Sequence, residues 1–84
     1  MITARQTRAA RALLGWTQET LAERALVSLT ALKRLESSND LRVFESTYDQ
    51  VRRTLEGNGI VFLTSDQGEG VMIVHTESDR AQPT

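Results

Sequence analysis

The stretch from Thr17 to Ser37, TQETLAERALVSLTALKRLES, constrains the fold more than any other part of the chain. Apolar side chains recur there at Leu21, Ala22, Ala25, Val27, Leu32 and Leu35. Leu21, Ala22 and Ala25 fall on one face of a helix, and Leu32 and Leu35, three apart, fall on one face of another. Val27 lies between the two sets and plugs the corner. Each helix has a start signal: the Thr17 hydroxyl can accept from a free amide near Thr20, and the Ser28 hydroxyl from one near Ala31. The stretch therefore reads as helix, turn, helix. Two helices crossing steeply through a corner of about three to four residues need a small side chain where they touch, and Ala22 supplies it.

From Gln18 to Glu36 this pattern resembles the helix-turn-helix of the Cro/CI repressor group, also called the XRE or lambda-repressor-like family. Gln18 opens the motif, Ala22 is the crossing alanine, Val27 follows the turn, and Leu32 and Leu35 anchor the second helix. A looser likeness extends upstream to Thr3, through LLGWTQETLAERA, and downstream to about Leu63. The resemblance implies a mainly α fold: a lambda-repressor-like bundle of four to five short helices, with a C-terminal β-hairpin or strand used for dimerisation. One position departs from the family pattern. Glycine usually stands at the turn, in a left-handed conformation, whereas this chain has Leu26, at a cost of about 1 kcal/mol or more. Either the corner is strained or it is built differently.

Eighty-four residues make one domain with a modest buried fraction, so stabilisation by a partner is plausible and no room is expected for a separate sensing or catalytic domain. There is no cysteine, which excludes disulfides and thiolate metal sites and fits a reducing cytoplasm. The lone His75 cannot form a metal site by itself. No apolar run approaches the roughly 20 residues of a membrane span, and the first residues carry arginines in place of a signal-peptide core. The expected location is the cytoplasm, with no membrane association and no cofactor. The net charge of −1 argues at first against a polyanion partner. Its distribution argues the other way: residues 1–42 carry seven basic groups against four acidic, and the remainder three against seven. A basic front half and an acidic back half point to one face for a polyanion and another for protein or water.

In chain order, Thr3 with Gln6 makes a capping-box start, and Ala-rich sequence continues to Leu14, where Gly15 can close the helix. Ala9, Ala10, Leu13 and Leu14 are expected to supply its buried face, with Arg5, Arg8 and Arg11 drifting around the opposite side, either solvated or against phosphates. Trp16 reads as a core or staple residue. In the second helix of the motif, Leu32 and Leu35 turn inward, so Leu29, Thr30, Lys33, Arg34 and Ser37 face outward with Ser28 at the leading end. This is the helix expected in a major groove. Arg34 can fork onto guanine O6 and N7, Thr30 can hydrogen-bond or touch a thymine methyl, and Lys33 suits a phosphate. Leu29 either contacts thymine methyls or packs over the corner beside Leu26. The resemblance gives Gln18 a phosphate contact, and extends backbone contact to Asn39 and Arg42 around the polar loop that follows.

A further helix is expected from about Phe44 to Glu56, because Phe44, Tyr48, Val51 and Leu55 repeat at helical spacing, and Gly57-Asn58-Gly59 ends it. Arg52 and Arg53 lie mostly off that stripe. Ile60–Leu63 and Val71–Val74 are β-prone runs joined by SDQGEG, with Gly68-Glu69-Gly70 read as turn. Neither run alternates, and a lone hairpin is only marginally stable, so one face packs on the helices and the other face or an edge invites a second chain. The organisation is therefore a DNA-binding unit over 1–58, a dimerising hairpin over 59–75 and a disordered tail over 76–84.

The function these features predict is a sequence-specific DNA-binding transcriptional regulator, a repressor that binds double-stranded, palindromic operator DNA as a homodimer through residues 60–75. The alternative is an antitoxin or anti-activator of the same fold that holds another protein. Catalysis is the weakest class: no paired-carboxylate, Cys/His or Ser/His arrangement has a plausible spacing, and no Gly-rich phosphate loop follows a strand.

Overall fold

The computed structural model describes residues 2–37 and 42–75. Four helices, α1 (Ala4–Leu14), α2 (Gln18–Ala25), α3 (Leu29–Glu36) and α4 (Glu45–Gly57), precede an antiparallel hairpin of β1 (Ile60–Ser65) and β2 (Gly68–Ile73). The fold is mainly α, as expected. The expected tail over 76–84 lies outside the described residues.

Local hydrogen bonds set the helix ends. Thr3 Oγ1 accepts from the Gln6 amide at 3.1 Å while Gln6 Oε1 accepts from the Thr3 amide at 3.0 Å, closing the capping box of α1. Thr17 and Ser28 cap α2 and α3 by accepting from Thr20 and Ala31. Both α1 and α2 end in the same motif. The Gly15 and Trp16 amides reach back to the Ala12 and Arg11 carbonyls, and the Leu26 and Val27 amides to those of Glu23 and Ala22. The motif needs a left-handed residue, which is Gly15 (φ 70°) in the first case and Leu26 (φ 58°, ψ 40°) in the second. The corner is thus strained, not rebuilt, and Leu26 is the one non-glycine with positive φ among the described residues.

Leu21, Leu32, Val51 and Leu55 are fully buried, joined by Ala10, Ala22, Ala25, Leu35, Ile2 and Ile60. Val27, Leu29, Trp16, Leu14 and Tyr48 pack half-buried against them. Three expectations are corrected. Of the expected buried face of α1, Ala10 is buried and Leu14 packs on the core, but Ala9 and Leu13 are exposed and Gln6 and Thr7 are buried in their place, Gln6 on carbonyls of the hairpin and Thr7 on the Thr3 carbonyl. Arg11 is paired inside the molecule, so it belongs to no solvated arginine face. Phe44 is the residue before α4, with extended backbone, and is 82% exposed, so the stripe of α4 is Tyr48, Val51 and Leu55.

The hairpin is longer and its turn tighter than expected. Pairing runs from Ile60 opposite Ile73 to Ser65 opposite Gly68, leaving Asp66-Gln67 as the turn, so Gly68-Glu69-Gly70 is strand. Alternation is present in the burial even though the residue types hide it. Ile60, Phe62, Val71 and Ile73 face the helices, while Val61, Leu63, Met72 and Val74 are exposed. Pairing is within the chain, between β1 and β2.

Candidate nucleic-acid interface

Helix α3 divides cleanly by face. Leu32, Leu35 and Glu36 are buried, Leu29 is half-buried against the core, and Thr30, Lys33 and Arg34 are exposed. Two leucines three apart fix the helix's roll, and that roll turns the polar and basic residues outward. Lys33 and Arg34 occupy the last turn, where cations suit the helix dipole. Ser28 is exposed at the leading end with its hydroxyl engaged as the cap. Ser37 follows α3 and returns its amide to the Arg34 carbonyl.

What holds α3 in place is a buried carboxylate. Glu36 is 4% exposed, and its side chain accepts from Arg11 Nε and Nη2, each at 2.7 Å, and from Gln18 Nε2 at 3.0 Å. Arg11 also donates to the Trp16 carbonyl at 3.2 Å, and Arg8 donates to the Glu36 carbonyl. The Glu36 carboxylate, by hydrogen bond and charge, raises the Arg11 pKa above its ordinary value despite burial, so this fork stays charged. Arg24 of α2 lies over the Trp16 ring, 4.7 Å from its centroid. No buried side-chain nitrogen or oxygen among the described residues lacks a partner.

The sequence-predicted residues therefore separate. Thr30, Lys33 and Arg34 share one exposed face of α3, with Ser28 at its start. Leu29 is half-buried against the core at the start of α3. Gln18, at the first turn of α2, is half-buried with its side-chain amide on Glu36. Arg42 is exposed shortly before α4, and Asn39 lies outside the described residues. The arrangement missed in the sequence is the Arg11–Glu36–Gln18 cluster. Its signal was present: Glu36 stands four residues after Leu32, on the inward face, and a carboxylate there requires a cation from a neighbouring element.

Residues 8–42, from within α1 to beyond the end of α3, match the helix-turn-helix family model. Over this segment the chain is similar to the helix-turn-helix family, in agreement with the resemblance seen in the sequence. The match supports a DNA-binding transcription regulator in kind. No curated protein and no solved structure matches the chain. Within the matched segment, the exposed face of α3 carries one hydroxyl and two cations, the types suited to base edges and phosphates. No group of three or more His, Cys, Asp or Glu side chains among the described residues could hold a metal ion, and no described helix is long and apolar enough to cross a membrane.

Proposed function

We propose that the protein is a cytoplasmic repressor that occupies a palindromic operator as a homodimer, with α3 of each protomer in the major groove. One observation carries the reading: Thr30, Lys33 and Arg34 stand exposed together on α3 while its anchors are buried. In this reading Arg34 reads guanine, Thr30 reads a neighbouring base, and Lys33, Ser28, Ser37, Asn39 and Arg42 contact the backbone beside it. Gln18 reaches a phosphate from the start of α2, and Leu29 contributes by packing at the leading end. Dimerisation uses the hairpin over 60–75, whose outer face keeps Val61, Leu63, Met72 and Val74 exposed. Two recognition helices about 34 Å apart would meet successive major grooves on one side of the duplex. Repression would follow from occupying the promoter.

Selection of bound DNA from a random pool, with the mass of the free protein measured in parallel, tests this. The expected result is an inverted repeat bound by a dimer, with affinity falling steeply as salt rises. Salt-insensitive binding would remove the phosphate contacts from the proposal.

The same exposed hairpin face also favours a second reading, an antitoxin or anti-activator in which Val61, Leu63, Met72 and Val74 cover another protein. The two readings part on a purified chain: one that selects no DNA sequence supports the second.

A further inference from the structure

The buried Gln6 has more work than a capping residue needs. It is 3% exposed, its Oε1 accepts from the Thr3 amide, and its Nε2 donates to the Leu63 carbonyl at 3.1 Å and to the Gly70 carbonyl at 3.0 Å. Leu63 and Gly70 face each other across the hairpin, so one side-chain amide grips both strands. Beside it, Thr3 Oγ1 donates to Glu69 of β2 at 3.0 Å. Toward the other end of the same helix, Arg8 and Arg11 hold the backbone and carboxylate of Glu36, the last residue of α3. Helix α1, 11 residues and so about 16 Å long, is thus clamped to the hairpin near its start and to the recognition helix further along.

The covalent route from the helices to the hairpin is short. It passes through Gly57-Asn58-Gly59, where Gly59 takes φ 94° and a Cβ would stand 3.1 Å from the Val74 carbonyl oxygen. Gly59 is also hydrogen-bonded on both sides, its amide donating to the Glu56 carbonyl and its carbonyl accepting from the Val74 amide. Beyond this joint, the hairpin docks chiefly on α1.

We infer that α1 is the strut that fixes the hairpin relative to α3, with Gln6 as its positioning residue, so that Gln6 sets the spacing of half-sites a dimer accepts. The inference rests on the dimeric DNA-binding reading above. A change of one base pair moves the second half-site by about 3.4 Å and rotates it by about 35°. A rigid dimer cannot follow that movement, whereas one with a loosened hairpin can.

Gln6→Glu separates the two roles of the residue, because Glu at this position still accepts from the Thr3 amide but, even protonated, has one O–H in place of two N–H donors and cannot bridge both strand carbonyls. The test measures binding of the full chain to operators whose half-sites keep their sequence while the spacer changes by one base pair. The wild-type protein is expected to reject the altered spacers at least about tenfold, the cost of one lost base-pair contact. Gln6→Glu should select the same half-site sequence with that rejection reduced to about threefold or less. In hydrogen exchange, its β1 and β2 amides should lose protection while those of α3 keep theirs. A dimeric, folded variant with unchanged spacer rejection overturns the inference. Gln6→Met, which keeps the volume without the amide, serves if Gln6→Glu does not fold. Failure of both to fold would overturn it too, by making Gln6 a support of the whole fold. A wild-type protein that is monomeric on DNA, or indifferent to spacing, fails the dimer reading itself, before any variant is made.

Discussion

Leu26 holds a backbone conformation that glycine reaches at no steric cost, and it does so with its side chain 83% exposed. A left-handed non-glycine residue costs about 1–2 kcal/mol, and little burial offsets it here. Glycine would relieve that strain but widen the unfolded ensemble, which takes back about 0.4–1 kcal/mol. Leu26→Gly should therefore stabilise the protein by about 0.5–1 kcal/mol, seen as a higher urea midpoint at unchanged slope. No gain would mean that the leucine finds contacts offsetting its backbone. Arg11 presents the opposite case. Its fork neutralises a carboxylate whose side chain is only 2% exposed, and Arg11→Ala would leave that charge with Gln18 alone. Breaking a buried pair from one side costs about 3–5 kcal/mol, enough to unfold much of a domain this small at 37 °C. Removing both charges together, as Arg11→Met with Glu36→Leu, should recover most of the loss in thermal melts, because the cost lies in the stranded ion.

At the scale of the elements, α3 allows its contacts to be sorted by what each substitution changes. Arg34→Ala should relax base preference at one position per half-site and weaken operator binding by about 1–3 kcal/mol, read by sequence selection. Lys33→Ala should weaken all sequences alike and lower the slope of log affinity against log salt by about one. Swapped outcomes would exchange the two roles. The roll of α3 that underlies this was legible in the sequence, because Leu32 and Leu35 alone decide it, and the caps at Thr3, Thr17 and Ser28 were legible because each is a bond across three residues. The roll of α1 was not. Ala9 and Leu13 fit an inward stripe as well as Gln6 and Thr7 do, and the choice falls to partners far along the chain: Leu63 and Gly70 for Gln6, Glu36 for Arg11. Phe44 misled because helical spacing continues one residue past the true start of α4. The glycines of SDQGEG misled because a two-residue turn at Asp66-Gln67 leaves both of them inside β2.

For the whole molecule, the proposed dimer must draw useful affinity from one short α3 per protomer. The exposed face of α3 offers two cations and a hydroxyl, which is few contacts for a single protomer. Joining two protomers makes the second half-site encounter intramolecular and can raise affinity by about 10²–10⁴-fold without any new DNA contact. In the proposed dimer that gain depends on the outer face of the hairpin, where Met72 is exposed and opposite Val61. Met72→Lys sets a cation at the centre of that face on each protomer, so two copies would have to bury like charges against each other. Because Met72 is already 47% exposed, the folded monomer should lose no more than about 0.5 kcal/mol. The expected outcome is a halved mass in light scattering, an intact melting transition, and operator binding about 10²–10⁴-fold weaker, with the single half-site affinity preserved or slightly raised by the added charge. If the variant stays dimeric, the outer face is not the dimer contact and the association must use a strand edge. If it becomes monomeric yet holds the operator as tightly as before, the two half-sites are read independently, and the proposed coupling between hairpin and recognition helix has no role in DNA binding.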